Sequence, residues 1–163
     1  MTPDWQSAEA ELVSRLQAII RFDTRNPPGN ELPLARHLEA ALREESIETT
    51  MFEPKENRAV LIGRIRGNGA RRPVILLAHM DVVGVERGGW SVDPFAGEIK
   101  DGYLYGRGAI DDKGMLAANL MTMLLLKRAL AKGGAGLSRD VIFLATSDEE
   151  AGGEWGMGWL VKH

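Results

Sequence analysis

Gly106-Arg107-Gly108-Ala109-Ile110-Asp111-Asp112-Lys113-Gly114 lies between a strand-like run, Tyr103 to Tyr105, and the longest apolar segment of the chain, Met115 to Leu126. Its glycines allow a tight turn and a close backbone approach. Two adjacent carboxylates then follow at the mouth of a helix. The helix dipole favours one negative charge there, and Asp is a good N-cap, but capping needs only one of the two. The pair together calls for a cation. Matching groups stand upstream in His79-Met80-Asp81 and downstream in Asp148-Glu149-Glu150.

Outward from this stretch the chain alternates between two hydrophobic periods. Pro3 to Phe22 reads as an amphipathic helix with Leu12, Leu16, Ile19 and Ile20 on one face and Glu9, Glu11 and Arg15 mostly away from it. Asn26-Pro27-Pro28-Gly29 breaks it, and a second helix is expected from about Glu31 to Ser46. Thr49 to Glu53, Ala59 to Ile65 and Val74 to Ala78 are short β-branched or aliphatic runs, read as strands. The last is continuously apolar, as a strand covered on both faces would be. After the long loop from Gly84 to Gly97, Glu98 to Lys100 and Tyr103 to Tyr105 form an expected hairpin through Asp101-Gly102. A helix from about Asp112 to Leu130 is apolar nearly all round and expected to be buried. Val141 to Ala145 is a further buried strand, followed by a loop over Thr146 to Gly153. Together these predict a three-layer α/β/α sandwich around a mixed, largely parallel sheet with right-handed crossovers. Met157 to His163 reads as the start of a helix without room to finish, so the sandwich is expected to be incomplete at its C-terminal end and the chain to be the front part of a longer protein.

Composition narrows the function. The 163 residues, 44% hydrophobic and 26% charged, fit one globular domain. A net charge of -3 and a pI near 5.7 leave no basic footprint, so nucleic acid is excluded as a partner. There is no cysteine, hence no disulfide framework and no thiolate ligand. The N-terminus is polar and acidic, unlike a signal peptide. Met115 to Leu126 is shorter than the ~20 residues of a membrane span. The expectation is a cytoplasmic chain with no membrane partner.

The candidate chemistry is therefore a metal site built from imidazole and carboxylates. His79 ends the Val74–Ala78 strand, where open α/β sheets place their ligands. Asp81, two residues on, points the same way in an extended chain and is expected to hold the second imidazole nitrogen, fixing its tautomer. Asp111 opens a helix, and Glu149-Glu150 follows a strand end, where adjacent side chains diverge so that one binds metal and the other faces substrate. Such an N/O set suits Zn²⁺ or a similar divalent ion. A nucleotide-binding reading of Gly106-x-Gly108 fails, because Asp111 takes the place of the third fingerprint glycine and would repel a pyrophosphate.

Leu77-Ala78-His79-Met80-Asp81-Val82-Val83, Trp90-Ser91-Val92-Asp93-Pro94-Phe95, the segment Gly102 to Gly114 and Thr146-Ser147-Asp148-Glu149-Glu150-Ala151-Gly152-Gly153 resemble, in order, those of one family. It is the di-zinc exopeptidase and deacylase family of aminoacylase, acetylornithine deacetylase, succinyl-diaminopimelate desuccinylase and glutamate carboxypeptidase. Asn26-Pro27-Pro28-Gly29 is also similar. The resemblance implies that His79 binds one zinc with Asp81 behind it, Asp111 bridges two, Glu150 binds the second, and Glu149 is the general base for the bridging water. It implies hydrolysis of amide bonds in N-acyl amino acids or short peptides, with Co²⁺ or Mn²⁺ as alternatives to zinc, and a cis peptide bond between Asp111 and Asp112. The family's remaining two ligands and its lid and dimerisation domain have no match here. The isolated chain is thus expected to hold zinc weakly and to be inactive, and any homodimer to form through that absent domain. The alternative is a non-catalytic truncated chain acting only as a folded or binding module. His37 and His163 match no family ligand and read as ordinary surface.

Overall fold

The computed structural model describes residues 5–163, so the expected start of the first helix at Pro3 lies outside the described residues. Helix α1 (Trp5–Ile20) and helix α2 (Leu32–Glu44) are followed by the strands β1 (Glu48–Lys55), β2 (Arg58–Ile65) and β3 (Val74–His79). A short hairpin of β4 (Glu98–Lys100) and β5 (Tyr103–Tyr105) precedes helix α3 (Lys113–Ala131), strand β6 (Val141–Thr146) and the one-turn helix α4 (Met157–Leu160). The β4–β5 turn uses Asp101 and Gly102 at positive φ of 52° and 80°, which matches the twist of a two-residue hairpin.

The main sheet runs β1-β2-β6-β3. It is mixed, as expected. Its parallel share among the described residues is the single β3–β6 ladder, from Val74 opposite Val141 to His79 opposite Thr146. The β1–β2 and β2–β6 pairs are antiparallel. The expectation of a largely parallel sheet is corrected here: β1 and β2 are joined by a tight turn, and a two-residue connection permits only antiparallel pairing. The β3–β6 register sets both strand ends level, which puts His79 and the loop after Thr146 side by side.

Helices α2 and α3 share one face of the sheet, with α1 packed along α3. Leu34, Leu38 and Leu42 of α2, Leu116, Leu120 and Leu124 of α3, Leu61 of β2 and Phe143 of β6 form one core with almost no solvent contact. The first backbone N–H groups of α2 are satisfied from the β1–β2 turn, where the Asn57 carbonyl accepts from Glu31 and Leu32 at 2.9 and 3.1 Å. Helix α3 is longer than the apolar run alone indicated. Its 19 residues reach what a membrane span requires in length and composition, yet it packs against β3 and β6. It is not buried all round, since Met115 is 53% exposed.

The opposite face of the sheet departs from expectation. Ile75 and Leu77 of β3 are 56% and 45% exposed, so this strand is covered on one face only. A continuous apolar run is legible as a two-sided strand, but nothing among the described residues lies over the second side of β3. That side is met elsewhere by α4, whose Trp159 ring sits 5.3 Å from Phe52 of β1. Among the described residues, α4 stands for the third layer.

Candidate metal centre

Three chain segments converge at the C-terminal end of β3. His79 is the last residue of β3, with only 8% of its surface exposed. Asp111 and Asp112 come from the turn that opens α3, joined by a cis peptide bond. Glu149 and Glu150 sit in a 3₁₀ turn just after β6. The turn into α3 is tight: Lys113 N–H donates to the Gly108 carbonyl at 2.8 Å, and Gly108 has φ +82° with the Val82 side chain where a Cβ would stand. Only glycine meets both conditions without strain.

The imidazole Nε2 of His79 lies 3.0 Å from Asp111 Oδ1 and 3.9 Å from Glu149 Oε2. One ligand atom each from His79, Asp111 and Glu150 fall within 4.8 Å of one another. Asp111 and Glu149 keep their carboxylates largely in solvent, at 77% and 62% side-chain exposure, so the cluster opens outward. Beside it a cleft of about 300 Å³ is lined by Leu77, His79, Asp112, Thr146, Glu149 and Met157, among others.

The electrostatics are those of a site short of positive charge. Burial favours the neutral imidazole of His79, but its contacts with Asp81 and Asp111 outweigh that and hold its pKa up at about 9. Burial raises the Glu150 carboxyl, and the Asp111 charge raises it further. Burial likewise raises Asp112, whose carboxylate accepts the His79 backbone N–H at 3.3 Å. Crowded carboxylates around one imidazole are relieved by a divalent cation, and the donor set of one nitrogen and several oxygens fits such an ion.

Asp81 meets the second imidazole nitrogen through two of its atoms. The nearest acceptor to His79 Nδ1 is the Asp81 backbone carbonyl at 3.0 Å, with the carboxylate oxygen at 3.4 Å. The carboxylate, fully buried, also accepts the backbone N–H groups of Glu149 and Glu150, each at 3.0 Å. Burial opposes its ionisation, but the hydrogen bonds from His79, Asn26 and these N–H groups prevail and lower its pKa.

Sequence reasoning read Asp112 only as one of a carboxylate pair and Asp148 only as part of an acidic stretch, and gave no site role to Asn26 or Arg58, although all four line or back this cluster. The double carboxylate at 111–112 was a usable signal. Arg58, in a strand far from the cluster in sequence, carried none. His163 is exposed and stacks on Trp159, whereas His37 is half-buried against Phe22 at 5.3 Å rather than ordinary surface.

A succinyl-diaminopimelate desuccinylase of Wolinella succinogenes is 40% identical over 119 residues, which span 73% of this chain and 30% of that protein. The chain therefore spans about a third of the length of the curated relatives it matches. Human carnosine dipeptidase 1 shares the fold at a TM-score of 0.78 and 22% identity, over 96% of this chain and 36% of that one. The M20 family metallo-carboxypeptidase Sso-CP2 of Sulfolobus solfataricus does so at 0.77 and 24%, over 93% and 34%. The profile of Peptidase family M20/M25/M40 matches residues 75–163, the span that holds every residue of the cluster, and the chain belongs to that family.

Proposed function

We propose that residues 1–163 form the front portion of the catalytic domain of a zinc-dependent hydrolase that cleaves amide bonds in N-acyl amino acids or short peptides. The observation that carries this reading is the convergence of His79, Asp111 and Glu150 within 4.8 Å at the open end of a cleft. These three residues would hold the metal. A bound divalent ion supplies Lewis acidity toward a carbonyl oxygen and makes water a nucleophile near neutral pH.

The chain's own residues supply the rest. His79 is oriented by its Nδ1 contact to the Asp81 carbonyl, which leaves Nε2 facing the cluster. Glu149 projects into the cleft with its carboxylate exposed, the placement a general base needs. It takes the proton from the attacking water as the C–O bond forms, then hands it to the nitrogen as the C–N bond breaks. The Asp81 carboxylate pins the backbone of both glutamates, so Glu149 and Glu150 keep different directions.

The test is hydrolysis of N-succinyl and N-acetyl amino acids and of dipeptides by the complete polypeptide, before and after chelation. Loss of turnover on removing metal and its return with Zn²⁺ are expected. An undiminished rate in stripped protein would overturn the metal reading.

A further inference from the structure

We infer that Asn26, held in one amide orientation by Arg58, is a positioning residue for the metal cluster, acting through the carboxylate of Asp81. The inference rests on the metal reading above and extends it to a segment far from the cluster in sequence.

Asn26 is 5% exposed, and its Nδ2 donates to Asp81 Oδ2 at 2.8 Å and to Asp148 Oδ1 at 3.1 Å. An amide offers two donors on one side and an acceptor on the other, so its orientation decides which groups it serves. Arg58 decides it. Its guanidinium donates to Asn26 Oδ1 at 2.8 Å, to the Pro28 carbonyl at 2.8 Å and to Glu31 Oε1 at 2.7 Å, and lies 3.4 Å from Asp148 Oδ1. A flipped amide would set NH₂ against guanidinium and a carbonyl oxygen against two carboxylates. The arrangement reserves space for that guanidinium: a Cβ on Gly29, at φ +82°, would fall 2.0 Å from Arg58 Cζ.

Asp81 needs this donor. Its carboxylate is fully buried, and its other partners are the His79 ring and the N–H groups of Glu149 and Glu150. A buried carboxylate that loses a donor shifts toward its remaining partners. That shift moves the imidazole and the Glu149-Glu150 turn together. Asn26 makes no hydrogen bond to a candidate metal ligand among the described residues; it reaches the cluster through Asp81, with Asp148 at the start of the glutamate turn as its second partner.

A neighbouring residue separates positioning from simple stapling. Thr24 Oγ1 donates to the Met80 carbonyl at 2.8 Å and is also buried. It tethers the same segment to the same strand end without reaching the Asp81 carboxylate.

The experiment is titration of the metal-free complete polypeptide with Co²⁺, reading the visible d–d bands and the dissociation constant, beside thermal melting without metal. The variants are Asn26→Leu, Asn26→Ser, Arg58→Lys and Thr24→Val. Asn26→Leu should weaken Co²⁺ binding roughly 10–100-fold, the usual cost of losing an outer partner of a metal ligand, and shift the bands. Asn26→Ser, which keeps one hydroxyl donor and leaves room for water, covers the case in which the leucine variant does not fold, and should shift both in the same direction. Arg58→Lys keeps the charge but loses the planar fork, and should also weaken binding. Thr24→Val should lower the melting temperature and leave the cobalt constant and spectrum unchanged. Wild-type constants and spectra in both Asn26→Ser and Arg58→Lys would overturn the inference, as would equal cobalt loss in Thr24→Val. Wild-type protein that takes up no Co²⁺ would instead overturn the metal reading, and this role with it.

Discussion

Under the proposed mechanism, adjacent residues of the same type have different work at this site. Glu149 is mostly exposed, whereas Glu150 is half-buried and belongs to the cluster of ligand atoms. Glu149→Gln keeps size and hydrogen bonding but cannot take a proton. In the complete polypeptide, turnover should fall by ~10²–10⁴ with bound metal unchanged. Glu150→Gln removes a charged oxygen ligand, so metal content should fall with the rate, and added Zn²⁺ should restore part of both. Metal content by mass spectrometry, read beside the rate for each variant, checks this. Metal loss in Glu149→Gln with activity restored by zinc would reverse the two roles.

At the scale of elements, the helical layer is joined by charge as well as by its apolar core. Glu11 of α1, which the helical pattern set on the solvated side, receives hydrogen bonds from Arg15 on its own helix and from Arg128 of α3 at 2.6 Å. Arg128 also reaches Glu45 at 2.7 Å. The Arg128 hydrogen bond, helped by Arg15, holds the Glu11 carboxyl at a pKa of about 2, below its ordinary 4.5. A carboxylate lowered in the folded state adds stability that is fully present above pH 4.5 and lost as the pH falls toward 2. With the pair about a quarter to a third exposed to screening water, that contribution is on the order of 1 kcal/mol. Glu11→Gln should therefore be less stable than wild type at pH 6 and nearly equal to it at pH 2, measured by urea midpoints. An equal deficit at both pH values would remove the ion pairing as its cause.

For the whole molecule, the uneven cover of the sheet is the dominant feature. One face is sealed by α2 and α3, while Ile75 and Leu77 face solvent on the other beside the cleft. An apolar patch at a sheet face marks a contact surface or an aggregation hazard. Residues 1–163 expressed alone should bind an apolar-surface dye such as ANS. Ile75→Thr combined with Leu77→Thr should lower that binding with little loss of stability, because threonine suits a strand and little burial is lost. Loss of stability of the size seen for core truncation, about 2–5 kcal/mol, would show that these side chains are buried in solution.

The sequence by itself determined the elements and drew out the residues that the proposed chemistry uses. Period and punctuation placed α2, the β4–β5 hairpin and all four strands of the main sheet to within a few residues, because burial of one face forces that spacing locally. The motif runs at 79–81, 106–114 and 146–153 likewise drew attention to His79, Asp111 and Glu150. What tertiary structure decided is pairing across distance. Whether β3 is covered on both faces, where Glu11 finds Arg128, and where the Asp81 carboxylate points all depend on residues dozens of positions away. Arg58 is the clearest case. Nothing in its strand's alternation sets it apart, and it joins the back of the cluster only because the β1–β2 turn carries it beneath Asn26 and Glu31. Hydrophobic patterning records which side of an element is buried, but it carries no record of which polar group waits there.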